Sequence, residues 1–338
     1  MQFAGSHILS IAQFERPDVE HLFAVADRMQ PYAHRRRVTK VLDGAILGAM
    51  FFEPSTRTRV SFGSAFNLLG GEVRETTGFE MSAIAKGESL YDTARVLSGY
   101  SDVIAMRHPQ EGSVAEFAAA SRVPVLNGGD GSNEHPTQAL LDLYTIRKEL
   151  AGRGIDQLRI AMVGDLRFGR TVHSLCKLLC LFDGIQVVLV SPAELRMPPS
   201  IVEQLRVAGH KVLESEVLEA SIRHVDIVYS TRIQEERFSS QQEADLYRGR
   251  FRLNQSIYTE HCEPNTVIMH PLPRDSRVTA RELDDDLNDN PNLAIFRQTD
   301  NGMLVRMALF ALVLDVADQV DRHARDVNWY TGGRFDGL

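Results

Sequence analysis

The chain has 338 residues, of which 43% are hydrophobic, 24% charged and 7% aromatic, a balance that excludes a disordered protein. A length beyond what one small core organises predicts roughly two domains of about 150 residues each. The formal charge of −8 and the pI near 5.8 oppose any broad attraction to nucleic acid or to an acidic membrane surface, so a basic cluster here is expected to serve a small anion.

The amino terminus, MQFAGSHILSIAQFERPD, has no basic segment leading into a long apolar stretch, and no secretory signal is expected. Apolar β-rich runs then alternate with helical patterns, the order that produces mostly parallel sheets flanked by helices. Strands are predicted at 45–52, 102–107 and 123–129, with helices at 57–69, 89–99 and 137–150. Ala151-Gly152-Arg153-Gly154 interrupts this pattern, and the cycle restarts with strands at 158–165, 186–191, 226–231 and 266–271 and helices at 170–181 and 199–208. The predicted fold class is α/β in two domains, 1–150 and 151–300. The acidic stretch ELDDDLNDNPN (282–292) reads as a solvated loop. A final helix at 301–320 has no strand after it, so pattern alone lets it pack on either half, and 321–338 reads as a tail. No apolar run approaches the ~20 residues that span a bilayer. Three cysteines, two of them on one predicted helix, make no disulfide framework, and the expected compartment is the cytoplasm.

Ligands of open α/β sheets bind at the carboxyl ends of strands, where helix amino termini expose donors. Ser55, Thr56, Arg57 and Thr58 occupy such a junction, after a turn through Glu53 and Pro54. Their hydroxyls, a guanidinium and the helix dipole suit the oxygens of a phosphate; a capped helix with solvent-facing arginines would carry the same letters. Three more junctions lie in the same half. SAIAKGESLYDT (82–93) offers Ser82 and Lys86, or only a polar loop that caps a helix. MRHPQEG (106–112) sets Arg107 at a strand end, and GDGSNEHPTQ (129–138) brings His135 and Gln138 to a first helical turn, with Glu134 as a neighbour able to tune His135.

In the second half, VGDLRFGRTVHSL (163–175) lacks the GxGxxG spacing, and Leu166, Arg167 and Phe168 fill the positions where a pyrophosphate needs close backbone approach. NAD is discounted and no cofactor is expected. Arg170 at a helix start and Arg232 just past a strand can each bind a carboxylate through two parallel hydrogen bonds. His173, Cys176 and Cys180 can share one helix face, but no second ligand pair with zinc spacing accompanies them, so core packing is favoured over a metal site. No GxSxG elbow, HExxH or Walker loop points to covalent or metal-assisted chemistry.

Together, FFEPSTRTRVSF, KGESLYDT, MRHPQEG, GDGSNEHPTQALLDLYTI, GDLRFGRTVHSL, TRIQEER and HPLPR resemble, in order and spacing from about residue 7 to 318, the catalytic chains of the aspartate carbamoyltransferases of pyrimidine synthesis. STRTR and HPxQ mark only the aspartate/ornithine carbamoyltransferase superfamily. The stretches MVGDLRFGRTVHSL, TRIQ and HPLPR (His270-Pro271-Leu272-Pro273) discriminate, because an ornithine enzyme would show HCLP and an SMG-type loop.

The resemblance implies transfer of the carbamoyl group of carbamoyl phosphate to L-aspartate, with helix 301–320 packed back on the first domain. It implies a phosphate site of Ser55, Thr56, Arg57, Thr58 and Arg107, completed by Ser82 and Lys86 from the neighbouring subunit of a homotrimer. It further implies that His135 and Gln138 contact the carbamoyl group, that Arg170, Arg232 and Gln234, with Lys86, hold aspartate, and that the Pro271 and Leu272 carbonyls face the reacting groups. A regulatory chain or a dihydroorotase is a partner the resemblance admits. Competing readings are carbamoyl transfer to another amine such as ornithine, and a non-catalytic scaffold homologue; the presence of Arg57, Lys86, Arg107 and His135 argues for an enzyme. Two domains that each hold one substrate must close to join them, with a hinge expected near 150–154. Two features depart from the family. Arg277, in DSRVTAREL, stands where an acidic residue is more usual, which puts any local salt bridge there in doubt but leaves the substrate contacts untouched. The stretch HARDVNWYTGGRFDGL (323–338) runs past the usual end and reads as a loose terminus, although Trp329, Tyr330 and Phe335 would also suit docking on a neighbour.

Overall fold

Runs that are apolar at every position make inner strands of parallel sheets, and charged runs close the edges. The computed structural model describes residues 1–76, 87–150, 152–235, 238, 240, 242 and 245–330, and the chain divides into two units, Met1–Leu140 with Asp300–Leu338, and Leu141–Thr299.

The first unit contains β1 (Arg37–Thr39), β2 (Ile46–Phe51), β3 (Glu72–Thr76), β4 (Val103–His108) and β5 (Val125–Asp130). Four of these form a parallel sheet in the order β3-β2-β4-β5. Strands β2, β4 and β5 carry the predicted apolar runs and are buried almost throughout, and although β5 ends the sheet, Ile8 bridges to its Leu126. Strand β3 was not expected: Glu-Val-Arg-Glu-Thr has the composition of a solvated segment, and it lies mostly exposed at the sheet edge. Helix Thr56–Leu68 follows β2, and helix Pro136–Glu149 begins after β5.

The second unit repeats the scheme with β6 (Arg159–Gly164), β7 (Gln186–Val190), β8 (Lys211–Ser215), β9 (Ile227–Thr231) and β10 (Val267–Met269), all parallel in the order β10-β9-β6-β7-β8. Edge strand β8 went unseen in the sequence for the same reason as β3. The predicted strand 266–271 ends at Met269, which leaves His270 and Pro271 in the loop beyond it. Gly164 closes β6 at φ +117, and a Cβ there would lie 2.1 Å from the Thr231 carbonyl oxygen, so only glycine lets the ends of β6 and β9 approach this closely.

The last helix runs Ile295–Val313, earlier than the 301–320 expected, because the polar IFRQTD segment masks its first turns and Asp315 leaves helical geometry at φ 56. From Asp300 onward it belongs to the first unit. Fully buried Phe310 stacks edge-on against Phe62 and Phe66 at 6.0 and 5.0 Å, and Arg306 donates to Ser61 Oγ at 2.8 Å. These contacts bind the C-terminal helix to the back of helix Thr56–Leu68. The chain then forms β11 (Ala324–Asp326), antiparallel to β1, so part of the predicted tail is strand.

The acidic stretch is not wholly a solvated loop. Glu282 and Asp284 are buried; Arg252 Nε donates to Asp284 at 2.7 Å, and the Asp275 amide donates to Glu282 at 3.1 Å. Charged residues are interior here because they have charged or backbone partners.

Candidate active site

Register brings the first set of candidates to one sheet edge. Phe51 pairs with Arg107 and His108 with Asp130, and the ladder shifts between Met106 and His108, a bulge of the kind that re-aims a side chain. Ser55 is the N-cap of helix Thr56–Leu68, yet its side chain makes no capping hydrogen bond and the first turn contains no acid. The backbone donors of that turn thus take no acceptor from the N-cap side chain. Arg57 and Thr56 are exposed; Ser55 and Thr58 are half-buried. Arg107 is held in place, its Nε donating to Glu53 Oε1 at 2.5 Å and its Nη1 to the Gly128 carbonyl at 3.3 Å. Sequence reasoning gave Glu53 no role beyond the turn.

His135 is buried immediately before helix Pro136–Glu149, and its carbonyl accepts from the Gln138 amide at 3.0 Å, which sets both residues at the helix entrance. The Glu134 carboxylate accepts from Ser10 Oγ at 3.0 Å and the Ile11 amide at 2.8 Å, so it fastens the N-terminal segment beside this entrance. Ser82 and Lys86 lie outside the described residues.

The second unit gathers the other candidates at the carboxyl edge of its own sheet, where β6 ends at Gly164 beside Thr231 and β10 ends beside β9. Arg170 opens helix Arg170–Leu179, and Arg232 directly follows β9 with Nη1 donating to the Ile233 carbonyl at 3.1 Å. Fully buried Asp165 ties these two segments together: one carboxylate oxygen accepts from the Arg167 and Phe168 amides at 3.1 and 2.9 Å, the other from the Gln234 amide at 3.1 Å.

The loop through Pro271 and Leu272 is braced from behind. His270 Nδ1 accepts from the Leu272 amide at 2.9 Å, and its Nε2 lies 2.8 Å from Glu282 Oε1. Accepting at Nδ1 puts the ring proton on Nε2. This bond holds Leu272 at φ 52, a left-handed conformation uncommon for a side-chain-bearing residue. The His270 amide donates to Gln298 at 3.0 Å, while Gln298 and Tyr229 both donate to buried Asp142, at 2.6 and 2.7 Å. Burial first, and then the Asp142 carboxylate, push the Tyr229 hydroxyl pKa well up, so it remains a donor.

The structure leaves His173 and Cys176 to the core, with Cys180 half-buried. His173 Nε2 lies 2.7 Å from the Leu166 carbonyl, and burial lowers its pKa; burial drives the Cys176 thiol upward. Among the described residues no group of three or more His, Cys, Asp or Glu side chains is arranged to hold a metal ion, and no helix is long and apolar enough to cross a membrane.

Two family models match the chain: the aspartate/ornithine carbamoyltransferase carbamoyl-P binding domain over residues 6–148, and the corresponding Asp/Orn binding domain over residues 156–313. An aspartate carbamoyltransferase catalytic subunit of Saccharophagus degradans is 77% identical across 99% of this chain and 100% of its own length. The protein of the same description from Cellvibrio japonicus is 75% identical, with 99% of each chain covered. Among solved structures, a Trypanosoma cruzi aspartate transcarbamoylase in complex with carbamoyl phosphate and aspartate is similar at a TM-score of 0.85 and 38% identity, covering 92% of this chain and 98% of that one.

Proposed function

The chain belongs to the aspartate/ornithine carbamoyltransferase family, and from that premise we infer that it is an aspartate carbamoyltransferase, moving the carbamoyl group of carbamoyl phosphate to the α-amine of L-aspartate and releasing N-carbamoyl-L-aspartate and phosphate. The near end-to-end match to catalytic subunits of that name carries the choice of acceptor.

In this reading Ser55, Thr56, Arg57, Thr58 and Arg107 seat the phosphate, and Ser82 and Lys86 of a neighbouring subunit complete the seat. Support comes from the uncapped, acid-free first turn of helix Thr56–Leu68 and from the Arg107 guanidinium at the end of β4, where a phosphate dianion competes with Glu53 for it. Arg170, Arg232 and Gln234, with Lys86, hold the aspartate carboxylates; the linkage of their segments through Asp165 supports their acting as one set. Gln138 and the Pro271 and Leu272 carbonyls orient the carbamoyl group and the attacking amine.

The deprotonated amine forms the new C–N bond at the carbamoyl carbon, and the oxyanion that develops there is met by Thr58, Arg107 and His135. Preorganised donors of this kind each contribute about 3–4 kcal/mol to transition-state stabilisation. The C–O bond to phosphate then breaks; phosphate leaves held by Arg57, Arg107 and Lys86 and takes the amine proton. No enzyme nucleophile is required.

We further assign the chain to a cytoplasmic homotrimer acting early in de novo pyrimidine synthesis. The apolar side chains of Tyr91, Val96 and Tyr100, exposed on and just after helix Leu90–Leu97, support a subunit contact. The direct test supplies the purified chain with carbamoyl phosphate and either L-aspartate or L-ornithine. Saturable formation of carbamoylaspartate with ornithine at background is the expected result; preference for ornithine overturns the assignment.

A further inference from the structure

Arg277, whose departure from the family put a local salt bridge in doubt, makes two ion pairs. Its Nη1 and Nη2 donate to the two Glu235 carboxylate oxygens at 3.1 and 2.6 Å, while its Nε and Nη2 also reach Asp275. The same Glu235 carboxylate receives a second fork from Arg248, through Nε at 2.6 Å and Nη2 at 2.8 Å. Side-chain exposure falls from 51% at Arg277 to 21% at Arg248 and 14% at Glu235, so the carboxylate is the enclosed hub of the cluster. Two bidentate guanidinium pairs on one carboxylate fix its position in a way a lone surface pair does not.

The location of this hub gives it a consequence. Glu235 follows Gln234 directly and lies three residues after Arg232, and the Gln234 amide is itself anchored on Asp165. At the other end, Asp275 is tied through its amide to Glu282, which faces His270 behind the Pro271 and Leu272 loop. A continuous polar chain thus runs from the loop before Arg170, through the Arg232 to Gln234 segment, to the loop that follows β10.

We propose that Glu235, clamped by Arg277 and Arg248, is a positioning residue that sets Arg232 and Gln234 for the dicarboxylate acceptor, with Arg277 as the strut joining that segment to the Pro271 and Leu272 loop. The inference rests on the assignment of L-aspartate as the acceptor. A positioning role confined to this unit raises the KM for aspartate and leaves the KM for carbamoyl phosphate unchanged; a merely structural role lowers thermal stability and moves both constants together.

The experiment compares the full-length wild-type chain with Arg277→Gln, Glu235→Gln and the double variant, measuring both KM values, kcat and the melting temperature. Arg277→Gln is expected to raise the KM for aspartate about fivefold, the upper range for one partly exposed ion pair, with little change in the KM for carbamoyl phosphate. Because Arg277 acts through Glu235, adding its substitution to Glu235→Gln is expected to produce no further increase. If the wild type fails to use aspartate, the acceptor assignment falls and this inference with it. If the wild type uses aspartate but Arg277→Gln leaves its KM within twofold, shifts both KM values equally, or adds in full to Glu235→Gln, the positioning role is overturned while the assignment stands.

Discussion

Arg107 donates from β4 to both Glu53 and the Gly128 carbonyl, so its replacement by alanine separates what the residue does for chemistry from what it does for the fold. Loss of an oxyanion and phosphate donor lowers kcat by about 10²–10³. Loss of the partner of a largely enclosed carboxylate costs about 1–3 kcal/mol of stability. Steady-state kinetics and urea unfolding of Arg107→Ala measure the two separately, and a kcat within tenfold of wild type would remove Arg107 from the proposed oxyanion donors. The donors themselves are legible in the sequence, because Ser55 to Thr58 and His135 stand where an apolar run meets a helical pattern and Arg107 stands at the end of an apolar run. Their partners are not. Glu53 and Arg107 are 54 residues apart and Glu235 and Arg277 are 42 apart, separations at which no local pattern connects a base to its acid. Arg277 was visible only as an anomaly, and its meaning required the position of Glu235.

Among the elements, those with a strong apolar period are the ones the sequence declares. The strands β2, β4, β5, β6, β7 and β9 were predicted, whereas β3 and β8 show five-residue segments with charged or hydroxyl side chains at four and three positions respectively and belong to their sheets only through backbone pairing with an apolar neighbour. Tertiary pairing overrides local composition at such edges. The junction of β6 with β9 is more tightly specified. At Gly164, φ +117 disfavours any side chain, and a Cβ would lie 2.1 Å from the Thr231 carbonyl oxygen. Gly164→Ala therefore displaces the end of β9 and is expected to cost more than about 2 kcal/mol, observable as a lowered urea midpoint. Since Arg232 follows Thr231 directly, the same variant should raise the KM for aspartate more than that for carbamoyl phosphate. A variant of wild-type stability would show that the two strand ends have room to move.

For the whole molecule, the repeated strand and helix cycle makes two α/β halves readable, but periodicity does not tell which half receives the last helix. That is decided by shape, through Phe310 against Phe62 and Phe66 and Arg306 against Ser61. Larger still is the proposed assembly, in which Arg57 from one subunit and Lys86 from the next serve one site. Arg57→Ala and Lys86→Ala chains are each expected to be inactive as pure trimers. In a closed ring, a site has both residues intact only where a Lys86→Ala chain supplies Arg57 and its neighbour, an Arg57→Ala chain, supplies Lys86. Every mixed ring then contains one such site whichever chain is in excess, and random mixing of equal amounts restores about a quarter of wild-type activity. If instead both residues came from the same chain, every site would keep a defect and mixing would restore nothing. Subunit exchange followed by native mass spectrometry fixes the proportion of mixed rings, so an absence of recovery in confirmed hybrids rejects the shared site.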